Sequence, residues 1–281
     1  MKKGLIMEGG AMRGMFTAGV MDVFLENGIR FDGGAGISAG AAIGCNYKSR
    51  QIGRAIRYNK RYSRDPRYCG IRSLIKTGDL YGAEFCYRTI PDELDPFDRE
   101  TFRQDPMEFY VGATNVMTGK ITYHLCKNGD HKDIEWMRAS ASMPLVSKPV
   151  VLDGKAYLDG GITDPVPYRI MEKKGYDRNV IILTQPLGYR KEKSRTLPAM
   201  KVMLGRYPAI VHAMTIRHKV YNHQMEEIGK REKDGISLVI RPPKPLGINR
   251  VEKDPDELER VYQIGRTEAA RRLKEVQEFL S

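Results

Sequence analysis

The chain has 281 residues, 41% of them hydrophobic, and a formal net charge of +12 from 47 Lys and Arg against 35 Asp and Glu. That length suits one large α/β domain, or a domain with a smaller appendage. No apolar run approaches the ~20 residues of a membrane-spanning helix. Four scattered cysteines without CxxC spacing suggest neither zinc nor a redox pair and fit free thiols in a reducing cytoplasm. Glu8 and Arg13 interrupt any apolar core of a signal peptide. The expected location is therefore cytoplasmic.

Residues 3–7 read as a first buried strand. It runs into Glu8-Gly9-Gly10-Ala11-Met12-Arg13-Gly14, a glycine-rich turn that opens a helix over residues 14–26. Backbone N–H groups at such a strand–turn–helix junction point at an anion. Residues 33–37 form a second strand, ending in Gly36-Ile37-Ser38-Ala39-Gly40. This is the pattern of a nucleophile elbow, a sharp turn that presents a serine hydroxyl, with Gly36 and Gly40 where strand and helix cross too closely for side chains. The alternative is a tight turn in which Ser38 caps the following helix.

Residues 39–62 read as mostly helical. Between Lys48 and Lys76 there are ten Lys or Arg and one acid, Asp65, and Arg50, Arg54, Arg57 and Arg61 recur at helical spacing. Two readings stand: an ordinary solvated helix face, or a basic surface that holds anionic lipid headgroups. Nucleic acid is not an expected partner, since stacking platforms and recognised motifs are lacking. Residues 65–105 are rich in Pro, Gly and charge and read as an irregular excursion with short helices.

Residues 108–114 and 120–124 read as paired strands, and residues 133–141 as a helix stopped before Pro144. Residues 148–152 and 155–158 form a hairpin around Asp153-Gly154. The hairpin delivers Asp159, followed by Gly160 and Gly161, to a strand end about 120 residues after the elbow. Asp164-Pro165 reads as the N-cap and first residue of a helix, and residues 178–184 as another strand. The charged stretch 188–195 marks a boundary. Beyond it, residues 197–233 and 254–279 read as helical, with a strand at 236–240 between them.

The loop EGGAMRG, the elbow GISAG and the late DGG, in this order, together with Ala139-Ser140-Ala141-Ser142-Met143-Pro144, resemble the patatin-like phospholipase family over roughly residues 3–185. The resemblance implies a three-layer α/β/α fold at 1–187, with a mainly helical C-terminal extension at 188–281. It also implies hydrolysis of lipid acyl esters, of the phospholipase A or lysophospholipase type, by a Ser–Asp dyad without a metal or cofactor. On that reading Ser38 is the nucleophile and Asp159 the base. Gly9, Gly14, Gly36, Gly40, Gly160 and Gly161 are the motif glycines. Gly10 and Ala11 are expected to donate N–H groups to the oxyanion, and Arg13 is the candidate for a substrate phosphate. One departure stands out: the family's loop usually reads GGGxRG, and Ala11 replaces its third glycine. If that position needs φ > 0, alanine costs on the order of 1 kcal/mol.

Other readings compete. His212, His218 and His223 follow Asp159 in the order of an α/β-hydrolase triad, although they lie in the expected C-terminal extension. Asp164 is an alternative base, better suited to capping. A dinucleotide-binding oxidoreductase needs GxGxxG, which Ala11 breaks. A lipid-binding or regulatory protein on the same fold is the remaining alternative, suggested by Ala11 alone.

Overall fold

In the computed structural model, which describes Met1–Ser281, strands and helices alternate as the periodicity predicts. The order is β1 (Lys2–Met7), α1 (Gly14–Glu26), β2 (Gly33–Ile37), α2 (Ala39–Lys48), α3 (Arg54–Tyr62), α4 (Ile71–Thr77), α5 (Arg99–Gln104), β3 (Glu108–Asn115), β4 (Ile121–Cys126) and α6 (His131–Ala141). Then come β5 (Val150–Leu152), β6 (Lys155–Asp159), α7 (Tyr168–Lys173), β7 (Tyr176–Ile182), α8 (Leu197–Met203), α9 (Pro208–Lys233), β8 (Ser237–Ile240), α10 (Pro255–Arg271) and α11 (Leu273–Leu280). A wide helical segment, Phe85–Leu94, lies between α4 and α5.

All strands join one sheet in the order β5-β6-β3-β2-β1-β7-β8, with β4 also paired to β3. The strands from β3 to β8 along that order are mutually parallel, whereas β4, β5 and β6 pair antiparallel at the β3 side. The inner stretches of the central strands, such as Leu5–Met7 and Val180–Ile182, are continuously apolar because both faces of the sheet are covered. Leu5, Met7, Val180, Ile182, Leu238 and Ile240 enter the larger core, which α1, α2, α6 and α10 also fill. Their neighbours Ile6, Ile181 and Val239 point the other way, onto Tyr168 and Met171 of α7 and Ile228 of α9. The result is the expected three-layer α/β/α fold.

Register places the chemistry. Ile37 pairs with Gly112 and Asp159 with the next residue, Ala113, on the same edge of β3, while β4 takes the opposite edge from Phe109 to Thr114. β2 and β6 thus run toward each other along one edge of β3, and their ends bring Ser38 and Asp159 together.

Several expectations are corrected. The helix expected over 39–62 is two helices, broken where Arg50 and Gly53 adopt left-handed φ of 55° and 72°. The helix expected over 197–233 breaks before Pro208, and that over 254–279 ends α10 at Arg271. Asp164 caps nothing: α7 starts at Tyr168, and the Asp164 carboxylate instead accepts from the Tyr123 hydroxyl and the Gln224 amide. The C-terminal part is mainly helical, as expected, and it packs on the rest of the fold. β8 extends the sheet beside β7, and α10 lies on α1 so closely that a Cβ at Gly19 or Gly265 would stand 2.1 Å from the carbonyl oxygen of Tyr262 or Phe16.

Candidate active site

The elbow is a strained turn held from several sides. Ser38 has φ 55° and ψ −121°, a conformation an L-residue adopts only when its surroundings impose it. A Cβ at Gly36 would meet the Gly40 carbonyl at 2.4 Å, and one at Gly40 would meet the Met7 carbonyl at 2.4 Å, so the two glycines of the motif are required by contact. The Ser38 N–H donates to Ser140 Oγ (2.9 Å), whose hydroxyl donates to the Gly112 carbonyl (2.6 Å). The Asp159 N–H donates to the Ser142 carbonyl (2.8 Å). The Ala139–Pro144 stretch thus fixes the backbones of both candidate dyad residues, a role its sequence alone did not suggest.

Asp159 is 5% exposed and Ser38 9%. The carboxylate Oδ1 accepts the Gly161 N–H at 2.7 Å, and the backbone carbonyl of Asp159 accepts the Thr114 hydroxyl at 2.9 Å. A Cβ at Gly160 would stand 2.3 Å from the Gly112 carbonyl, so this glycine lets the chain turn against β3. Burial pushes the Asp159 carboxyl above the ordinary carboxylate value of 3.8, opposed by the Ser38 hydroxyl, the Arg217 guanidinium and the Gly161 N–H. The Ser38 hydroxyl faces the Asp159 carboxylate and is the largest of the influences that oppose its burial. Arg217 was not foreseen. It comes from α9 and donates through Nε to the Gly161 carbonyl.

The glycine-rich loop sits beside this pair. The Gly9 N–H is spent on the Pro165 carbonyl (3.3 Å), whereas the N–H groups of Gly10 and Ala11 have no acceptor within the chain. Gly10 packs against Thr184, and Gly14 against Ile43 and Ala39, where a Cβ would fall within 3.0 Å. Ala11 has φ 49°, so the position does require the left-handed region and alanine is strained there. Ala11→Gly is expected to raise stability by about 0.5–1 kcal/mol, since relief of strain exceeds the entropy glycine adds to the unfolded chain. A melting curve of the variant checks this; an unchanged or lower midpoint overturns it. Arg13, the phosphate candidate, donates from Nε to Thr184 Oγ1 at 3.4 Å and has no acidic partner within 4 Å.

A cleft of about 1200 Å³, including its mouth open to solvent, begins at Ser38 and Ala11, and 19 of its 27 lining residues are hydrophobic. Its far wall comes from the excursion expected over 65–105, with Tyr68, Tyr81, Tyr87 and Ile90 turned inward. None of the five histidines lines it. His223 is exposed and faces Glu227, while His212 borders a separate shallow pocket by Thr118 and Ile216. His124, Cys126 and Asp133 bring their ligand atoms within 4.8 Å. Asp133 already accepts from His124 and from the N–H groups of Asn128 and Gly129, and burial pushes the Cys126 thiol well up, so this donor set does not fit a cation.

The arginines of the basic stripe differ in their surroundings. Arg50 precedes α3 and pairs with Asp105, while Arg54 is 4% exposed and, like Arg57, pairs with Asp95. Arg61 alone of the four has no acidic partner within 4 Å. Three of the four arginines are thus ion-paired, with the Arg50 and Arg57 side chains still about half exposed.

A three-layer α/β/α sheet with a serine elbow and a buried carboxylate meeting at β3 defines the class of protein. The chain belongs to the patatin-like phospholipase family, whose model matches residues 5–171; residues 207–281 match a domain of unknown function, DUF6363. It is 30% identical to the uncharacterized protein YjjU of Escherichia coli over 65% of this chain and 52% of that protein. It is 26% identical to the lysophospholipase NTE1 of Meyerozyma guilliermondii over 93% of this chain and 18% of that protein. An uncharacterized NTE family protein of Mycobacterium bovis, Mb1092c, is 27% identical over 58% of this chain and 43% of that one. The chain thus spans about half the length of the bacterial relatives and under a fifth of the fungal one.

Proposed function

We propose that the protein is a lipid acyl hydrolase of the phospholipase A or lysophospholipase type, acting through an acyl-enzyme on Ser38 with Asp159 as base. The observation that carries this reading is the meeting of elbow and carboxylate beside Gly112 and Ala113, at a cleft whose lining is mostly hydrophobic. The names of the fungal relatives, lysophospholipases, agree with it.

Ser38 Oγ attacks the ester carbonyl carbon while its proton passes to Asp159. The oxygen that gains charge is held by the N–H groups of Gly10 and Ala11, worth about 3 kcal/mol per donor. As the tetrahedral intermediate collapses, the C–O bond to the alcohol breaks and Asp159 returns the proton to the departing oxygen. Water then attacks the Ser38 ester, giving its proton to Asp159, and the fatty acid leaves as Ser38 recovers a proton. Burial equips Asp159 for this, because a raised pKa makes a carboxylate a better base near neutral pH. The absence of histidine from the cleft supports a dyad over a histidine triad.

A panel of p-nitrophenyl esters of increasing chain length tests the reading. Turnover that rises with chain length is expected. No turnover at any length by folded protein favours the lipid-binding alternative.

Peripheral contact with an anionic bilayer is part of this proposal, through α4 instead of the arginine stripe. Ile71 and Ile75, one turn apart, are 74% and 81% exposed, with Arg72 and Lys76 exposed beside them. Asp79 and Tyr81, which follow, line the cleft. Apolar residues at the mouth can enter the headgroup layer while each nearby cation adds about 1 kcal/mol. Co-sedimentation with anionic vesicles should fall sharply for Ile71→Ser/Ile75→Ser and with added salt. Binding that the double variant leaves untouched overturns α4 as the contact.

A further inference from the structure

We propose that Lys191, Arg217 and Arg250, together with Arg13, form a phosphate-binding subsite beside the Ser38–Asp159 pair. Three of these four cations lie outside residues 5–171, so the C-terminal part of the chain supplies most of the subsite. The inference rests on the lipid-ester reading for its placement, since the subsite borders the same serine.

The four reach the site from different elements. Arg13 follows the glycine loop and touches Thr184. Arg217 projects from α9 and touches the Gly161 carbonyl, two residues from Asp159. The backbone of Lys191 is clamped to Asn222 of α9 by two hydrogen bonds, of 2.7 and 3.1 Å, and its Nζ stands 4.8 Å from the Tyr221 ring centroid. The carbonyl of Arg250 accepts the hydroxyl of Tyr81, a residue of the cleft wall, at 3.4 Å. None of the four side chains lines the apolar cleft or forms an ion pair within 4 Å.

They nevertheless act on one another. Burial pushes Arg217 down, and Arg250 and Arg13 push in the same direction against Asp159. Burial, Arg217, Arg13 and Arg250 push the Lys191 ammonium down to about 8, against Glu8. The two carboxylates nearby are otherwise engaged. Glu8 is buried and accepts from Tyr221 and Thr184, and Asp159 accepts from Gly161. Four cations thus face two carboxylates in this corner, with Arg13, Lys191 and Arg217 half-buried and Arg250 exposed at the rim. Such a corner costs stability unless an anion enters it. A phosphate, with several acceptor oxygens and up to two charges, satisfies guanidinium and ammonium donors together. With an acyl chain in the apolar cleft and its ester at Ser38, a phosphate on the glycerol side would fall among these cations.

The test compares 1-acylglycerol-3-phosphate with 1-acylglycerol of the same chain, which differ only in the phosphate. Wild type is expected to favour the phosphate ester by about tenfold or more in kcat/KM, equivalent to roughly 1.4 kcal/mol. Lys191→Gln/Arg250→Gln should bring that ratio close to one. In parallel, inorganic phosphate is titrated against the melting temperature of wild type and of the double variant. A ratio that collapses in the double variant assigns the subsite to a lipid headgroup. A ratio near one in wild type, with a phosphate-dependent rise in melting temperature that the double variant lacks, assigns it to free phosphate. Neither a preference nor a rise overturns the subsite, even in a protein that hydrolyses both lipids. Loss of the hydrolase reading is separately visible, as no turnover on either lipid, and the melting arm then decides the subsite alone.

Discussion

Ser38→Ala is expected to lower kcat/KM for any acyl ester the protein turns over by about 10⁴-fold or more, leaving only what binding and the oxyanion donors contribute. The variant should fold normally. Alanine meets the same φ of 55° as serine, the Ser38 N–H keeps its acceptor on Ser140, and the hydroxyl supports no other hydrogen bond of ordinary length. Its melting point should stay close to wild type, within roughly the ±0.5 kcal/mol of a neutral substitution. A fluorophosphonate probe reports the nucleophile directly, by covalent attachment to wild type and none to the variant. Undiminished labelling of Ser38→Ala would remove Ser38 from the role assigned to it.

What was legible in the sequence is what backbone geometry forces on residue choice. Gly36 and Gly40 sit where a Cβ would strike a carbonyl, and Gly160 does the same against Gly112. These constraints are local, so they leave a readable trace. Ala11 is instructive: the sequence raised a cost only if φ were positive, and φ is 49°. Element limits were also readable, since β2 and α1 fall at the expected residues and are apolar apart from Thr17, Asp22 and Glu26 of α1.

The rest depends on residues far apart in the chain. Arg217 reaches Gly161 across 56 positions, and nothing around it in α9 differs from an ordinary solvated helix. Ser140 supports the elbow across 102 positions. Arg54 shows the converse failure. Its spacing with Arg50, Arg57 and Arg61 suggested an exposed face, but Asp95 and the Asn46 amide draw it inside. Periodicity states which residues share a helix face; it cannot state what covers that face. The same holds for residues beyond 188. A charged, turn-prone stretch reads as a boundary, yet the short apolar run of β8 finds its partner in β7 and closes the sheet.

Asp159→Asn carries the other large expected effect, with opposite signs on activity and stability. An amide cannot take the Ser38 proton, so turnover should drop by about 10³–10⁴-fold. Its oxygen can still accept the Gly161 N–H, which preserves the turn. The stability effect follows from the raised pKa. Between 3.8, the ordinary value, and the higher folded value, the folded state binds more protons than the unfolded one. Wild-type stability therefore falls as pH rises through that window and stays reduced above it. Asparagine has no charge to desolvate, so the variant should melt above wild type at neutral pH, with a difference that shrinks toward acid. Loss of the Arg217 attraction works against the gain, but burial is the larger influence on Asp159. The wild-type acid limb of kcat/KM should likewise lie above the usual carboxylate range. Wild-type turnover in Asp159→Asn would move the base elsewhere, with the histidines of α9 the first to examine. A variant that melts lower at neutral pH would mean that the carboxylate's partners outweigh its burial.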